Sequence, residues 1–205
     1  MVNKIIIKLK FIWYRLFIHS GYKARFRQLG TNSYIKSPLK IDGYENIEIG
    51  NNVNISYKTW LAALPLTGSK TCTLKIGEGS CIGNFNHIYA TSRIELGKNV
   101  LTADKVYISD NLHSYENIEI PVLKQRIKQV GEVKIGDGTW LGENVCVIGV
   151  TIGKQCVVGA NAVVTKNIPD YSVAVGNPAK IIKRYCLETK QWKKTAADGK
   201  FIDQS

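Results

Sequence analysis

The chain has 205 residues, 44% of them hydrophobic, and carries a formal net charge of +12. This suits one domain with a buried core and a terminal appendage. Five scattered cysteines (Cys72, Cys81, Cys146, Cys156 and Cys186) form no C-x-x-C pair, which excludes a disulfide framework and points to reduced thiols in a cytosolic setting.

Residues 1–28 carry Lys4, Lys8, Lys10, Arg15, Lys23, Arg25 and Arg27 and no acid, so seven of the twelve excess charges sit there. Charges interrupt every apolar run approaching the roughly 20 residues of a membrane-spanning helix. No small-residue cleavage site follows, so a secretory signal is not expected. The segment reads as a short basic amphipathic helix with two roles open. It caps the end of the core, or it makes peripheral contact with an anionic membrane surface. Nucleic acid is not an expected partner, because net charge alone is weak evidence for it.

From Leu29 onward apolar residues recur at every sixth position. The blocks are Leu29, Ile35 and Ile41; Ile49, Ile55 and Leu61; Ile76, Ile82, Ile88 and Ile94; Ile135, Leu141 and Val147; and Ile152, Val158 and Val164. Glycine repeatedly follows an apolar residue, as at Gly30, Gly50, Gly77, Gly97, Gly136 and Gly153. A small or β-branched residue comes a few places later, as at Ser33, Val53, Ser80, Val100, Thr139 and Ala162. A helix needs a period of 3.6 and a simple strand a period of 2, so neither explains six. A coil of short strands does, with three hexads to each turn and turns stacked about 4.8 Å apart. Glycine and asparagine are expected at the corners because they accept turn dihedrals that other residues resist. Such a coil buries its core only by stacking and needs a cap at each end.

Two stretches break the rhythm. "SYKTWLAALPLTGSKTCTLK" lies between Ile55 and Ile76, and "NLHSYENIEIPVLKQRIKQVGEV" between Ile108 and Ile135. Long loops on a regular scaffold are usually functional, and "IPVLKQRI" is apolar enough to pack against something. The second stretch holds His113, one of three histidines beside His19 and His87.

The hexads, followed by "VKIGDGTWLGENVCVIGVTIGKQCVVGANAVVTKNIPDYSVAVGNPAKIIKR", resemble the left-handed β-helix hexapeptide-repeat acyltransferases, most nearly the sugar O-acetyltransferase branch. The resemblance implies an all-β solenoid, a left-handed parallel β-helix over residues 29–184 with a long extruded loop at 109–134. A short N-terminal helix within residues 1–28 and a helical tail at 185–205 complete the expected organisation. The family is homotrimeric, takes acetyl-CoA as donor and a saccharide as acceptor, and builds its sites between subunits. His113 alone occupies the position of the family's catalytic histidine. Asn84, first asparagine of "GNFN", matches the acceptor-binding asparagine, and Trp140 the tryptophan that walls the site. Gly142, Ala160, Thr165, Lys166 and Lys180 match the coenzyme side. No metal is expected, because three scattered histidines do not suit the γ-type carbonic anhydrases that share the architecture. The chain departs from the pattern twice. His113 is followed by Ser114 rather than proline, and the corner before "GVTIG" is one residue short and lacks its proline.

An alcohol is a poor nucleophile at neutral pH, and histidine suits the work of deprotonating it. Asp110, Glu116 or a loop carbonyl could orient the imidazole, and the sequence leaves the three open. His87 is the competing base, placed at a turn, and Asn86 reads as structural. Lys183 and Arg184 extend the basic edge near Lys180. The expected activity is acetyl transfer to a saccharide hydroxyl in surface polysaccharide biosynthesis, in the cytoplasm, with work at the inner face of the membrane left open. N-acetylation of an amino sugar and a non-enzymatic β-solenoid scaffold are the alternatives.

Overall fold

The computed structural model describes residues 20–202. The expected basic amphipathic segment at 1–28 therefore lies mostly outside the described residues, which begin at a one-turn helix, Ser20–Lys23.

The period of six becomes a three-faced coil. The first face stacks Gln28–Leu29, Ile47–Ile49, Thr73–Ile76, Arg93–Leu96, Val133–Ile135 and Thr151–Ile152, all parallel. The second stacks Tyr34–Ile35, Asn54–Ile55, Cys81–Ile82, Leu101–Thr102, Trp140–Leu141 and Val157–Val158. The third stacks Lys40–Asp42, Trp60–Ala63, His87–Ala90, Tyr107–Ser109, Cys146–Ile148 and Val163–Val164. Register is kept from turn to turn. Ile41, Leu61, Ile88, Ile108, Val147 and Val164 thus form one continuous inward column. Every apolar residue of the hexad series is buried, each worth about 1.5–3 kcal/mol relative to exposure.

The corner glycines serve a different purpose from the expected one. Those after the apolar position do not hold left-handed dihedrals; Asn32, Asn52, Gly79, Asn99 and Gly138, two residues later, do. A Cβ on Gly30, Gly77 or Gly136 would instead lie 2.3, 2.3 or 2.4 Å from backbone atoms of the next turn. Glycine is needed there because successive turns touch at the corner.

Among the described residues the C-terminal tail is not helical but stranded. The strand Ser172–Val175 pairs antiparallel with Lys180–Cys186, which pairs with Gln191–Lys194. The strand Lys180–Cys186 runs without a break through residues 184 and 185. The last strand of the coil presents a row of unpaired N–H and C=O groups, and Lys180–Cys186 covers that edge by pairing with it. The loop at 109–134 is likewise ordered. Asn111–His113 and Ile127–Gln129 form an antiparallel hairpin standing off the coil.

Replacing Gly77 by alanine places a methyl against the Gly97 carbonyl and is expected to cost about 1–3 kcal/mol, by analogy with overpacked cores. A urea midpoint unchanged from wild type would contradict this account of the corners.

Candidate active site

The hairpin leaves the coil at the edge between the third and first faces, and one buried carboxylate anchors it. Asp110 is fully buried. Its oxygens accept the N–H groups of Thr91 (2.8 Å), Ser92 (2.7 Å) and Arg93 (2.9 Å), the Thr91 hydroxyl (2.9 Å) and the Asn111 amide (2.9 Å). The carboxylate thus fills the corner of the preceding turn, where three successive N–H groups point at one spot. The Asp110 carbonyl accepts from the Gln129 side chain and the Val130 N–H, closing the base of the hairpin. The shortened corner before "GVTIG" lies directly beneath. Gly149 donates its N–H to Ser109, and a Cβ on Gly131 would lie 2.6 Å from the Gly149 carbonyl. The missing residue makes room for the returning strand.

His113 ends the outgoing strand, opposite Ile127, and is exposed. It stands three residues past Asp110, about 10 Å along an extended strand. Among the described residues His113 makes no hydrogen bond to either carboxylate considered as its orienting partner. Asp110 is saturated by the corner it fills, and Glu116 is held by the Lys128 ammonium and the Tyr115 N–H. Those contacts, led by the Lys128 hydrogen bond, pull the Glu116 carboxyl down to about 2.

Asn84, Gly142 and Ala160 lie on the next edge, between the second and third faces. The Asn84 amide donates to the Asp104 carboxylate (3.1 and 3.2 Å) and accepts the Tyr57 N–H (3.1 Å), tying three successive turns together. The left-handed corner residue is Phe85 rather than either asparagine. Gly142 is pressed against the turn below, where a Cβ would meet the Ala160 nitrogen at 2.7 Å. Lys180 follows the turn at this edge in which the Ala179 N–H donates to Val163, and it is exposed. Trp140 stands on the second face just before the corner, 47% exposed. Thr165 and Lys166 are also exposed, but on the edge that carries the hairpin. The third face, four residues wide at His87–Ala90, separates the two edges by on the order of 13 Å. Within one chain, His113 and Asn84, Gly142 and Ala160 belong to different edges.

His87 is not a turn residue. It opens the strand His87–Ala90 on the outer side of the third face, stacked on Trp60 at 4.1 Å and 6° and crossed by Tyr107 at 5.3 Å. Burial lowers its pKa and keeps the ring neutral, and its Nε2 is buried with no protein partner. Asn86 points inward, donating to the Ala103 carbonyl, as a structural residue should. Asp110 is the residue that sequence reasoning undervalued. Its partners lie 17 to 19 residues upstream, joined to it only by the stacking of turns. Among the described residues no group of three His, Cys, Asp or Glu converges on a metal-sized site.

With this arrangement in view, the likeness to known proteins is specific. The model for the hexapeptide repeat of succinyl-transferase matches residues 132–166. A Mycobacterium tuberculosis protein named as an acetyltransferase is 40% identical over 152 residues, covering 74% of this chain and 47% of its own. An Escherichia coli K12 protein named as a lipopolysaccharide biosynthesis O-acetyl transferase is 40% identical over 120 residues, 55% of this chain and 61% of its own. The chain belongs to the hexapeptide-repeat acyltransferase family. It spans about half to three fifths of the length of these two relatives. Among solved structures, a maltose O-acetyltransferase from Clostridium difficile 630 is 28% identical with a TM-score of 0.55, over 80% of this chain and 72% of its own. An N-acyltransferase from Bacillus cereus solved with dTDP and 3-hydroxybutyryl-CoA superposes with a TM-score of 0.65 over 82% of this chain and 87% of its own; at 22% identity it speaks for the hexapeptide-repeat fold alone.

Two outcomes follow from the anchoring of this family member's hairpin. Asp110→Ala strips the acceptor from three backbone N–H groups and is expected to cost about 3 kcal/mol or more, read as a fall in the urea midpoint. The Glu116–Lys128 tether has a carboxylate pKa depressed from 4.5 to about 2. Its contribution is therefore fully present above the ordinary carboxylate range and is lost as pH falls through that lower value. Hydrogen-exchange protection in 114–128, corrected for the intrinsic pH dependence of exchange, should stay constant from neutrality down to mild acid; a loss of protection centred on the ordinary carboxylate pKa would contradict the tether.

Proposed function

We propose that this chain is an acetyl-CoA-dependent O-acetyltransferase acting on a saccharide hydroxyl, with the coil over residues 29–184 as its catalytic unit. The observation that carries the reading is the division of the candidate residues between two edges, with His113 on a hairpin that one chain leaves bare. On that hairpin Tyr115, Ile118, Leu123 and Val122 are 67%, 97%, 87% and 47% exposed. Apolar groups gathered at this density mark a surface that something covers. A left-handed coil assembled as a homotrimer supplies the cover, bringing one copy's hairpin to the second–third edge of the next. The names of the relatives support oxygen as the acceptor atom and a polysaccharide precursor as its carrier.

The residues present fit the donor. Ala160 is exposed and its N–H has no protein acceptor among the described residues; a side chain at position 142 would cover that N–H, and glycine does not. Lys180 offers a cation for a coenzyme phosphate at the foot of the same edge. Thr165 and Lys166 face the donor from the hairpin edge. Acetyl-CoA supplies an activated thioester carbonyl. His113, as neutral imidazole, takes the proton of the acceptor hydroxyl as its oxygen bonds to that carbonyl carbon. The C–S bond then breaks, and the imidazolium returns the proton to the departing thiolate. A backbone N–H such as that of Ala160 stabilises the charge that develops on the carbonyl oxygen. Asn84 and Trp140 form the acceptor side. The protein works in the cytoplasm, close to the membrane that carries the growing saccharide.

The test is thiol release from acetyl-CoA against a panel of free, nucleotide-linked and lipid-linked sugars. His113→Ala should lower kcat by about 10²–10⁴-fold while circular dichroism stays native. Activity within a few fold of wild type would overturn the assignment, and turnover confined to amino sugars would replace O-transfer by N-transfer.

A further inference from the structure

The C-terminal hairpin that closes the coil is charged in a way its own stability does not favour. Lys183 stands directly opposite Lys194, and Arg184 directly opposite Lys193. Like charges facing each other across a strand pair destabilise it. Among the described residues none of these four cations enters an ion pair. Residues 180–202 hold seven lysines and arginines against two acids, Glu188 and Asp198, and Asp198 is taken by Lys200 at 3.4 Å. The Arg184 Nε is buried without a partner. The Nη1 of the same side chain donates to the Gly199 carbonyl (3.2 Å), and the group borders an open cleft of about 770 Å³ that Tyr171, Glu188, Lys193, Phe201 and Ile202 also line.

The same end of the molecule is also apolar. Leu187 is 67% exposed, Ile202 53% and Trp192 48%. Successive strand residues alternate faces. Lys183, 5.6 Å from the Trp192 ring centre, therefore shares one face with Lys194, while Arg184, 5.7 Å from the Phe201 ring centre, shares the other with Lys193; each face sets cations beside a ring. A small soluble anion would satisfy the cations and leave those side chains in water. A lipid headgroup region satisfies both, offering phosphates to the cations and an acyl boundary to the rings.

We propose that this hairpin docks the protein on anionic phospholipid, with a headgroup phosphate facing Arg184 and Lys193. The surface is distinct from the basic N-terminal segment and does not depend on the acetyl-transfer reading.

The experiment is co-sedimentation of the full chain with vesicles of mixed phosphatidylglycerol and phosphatidylcholine, against vesicles of phosphatidylcholine alone. Binding to the mixed vesicles only, weakened by salt, is expected. Lys193→Glu with Lys194→Glu should lower partitioning about tenfold or more, and Phe201→Ala, on the Arg184 face, should lower it by a smaller factor. The neutral pair Lys193→Gln with Lys194→Gln guards against misfolding and should shift binding in the same direction. Three results would overturn the proposal. One is no preference for anionic vesicles. Another is wild-type binding by the hairpin variants, with loss on replacing Lys4, Lys8 and Lys10 by glutamine. The third is displacement by inorganic phosphate at matched ionic strength, which would mark a site for free phosphate.

Discussion

Close contact between successive turns at the corners of the coil governs the rest of this structure. Each turn is hydrogen-bonded to the next along three faces, and at the glycine corners the backbones leave no room for a methyl group. The inward columns of isoleucine, leucine and valine stack in register because the backbone does. A slip of one residue would turn every one of them outward. A frame this constrained cannot shape a site by bending. Chemistry is added where the frame is interrupted, at its edges.

The largest interruption shows how a scaffold without slack holds a projecting element. Asp110 completes the corner of one turn and begins the hairpin of the next, so the segment bearing His113 is fixed at its root by a buried network. Beyond the root, support comes from an exposed ion pair and from Gln125 bonding the carbonyls of Asn117 and Ile120. Stability therefore falls from base to tip, which is the gradient expected of an element that settles against a neighbouring surface. The opposite edge is rigid by contrast, with Asn84 bridging three turns and Gly142 pressed on Ala160.

The period of six was legible because it is local: each hexad residue reports its own side of a triangle, and all proved buried. The phase break around His113 was legible for the same reason. What could not be read depended on neighbours a full turn away. The corner glycines answer to backbone a full turn away rather than to their own dihedrals. Asp110 looked like a partner for His113 until its acceptor capacity was seen to be spent on Thr91, Ser92 and Arg93. "KIIKRYC" and "QWKK" carry no clear strand alternation, and they pair because the last coil has an open edge. His87 seemed a corner residue, yet it opens a strand and stacks on a Trp60 that no motif singled out.

The central claim is that no single chain holds a complete site: the imidazole comes from one copy and the donor-binding edge from another. Mixing two inactive variants tests this most directly, one lacking the His113 imidazole and the other carrying Gly142→Val on the donor edge. After co-refolding, mixed oligomers should regain a measurable fraction of acetyl transfer, because some sites then unite an intact edge of each kind. If every mixture stays as inactive as its parents while wild-type chains refolded alongside recover fully, both edges act within one chain and the account is wrong.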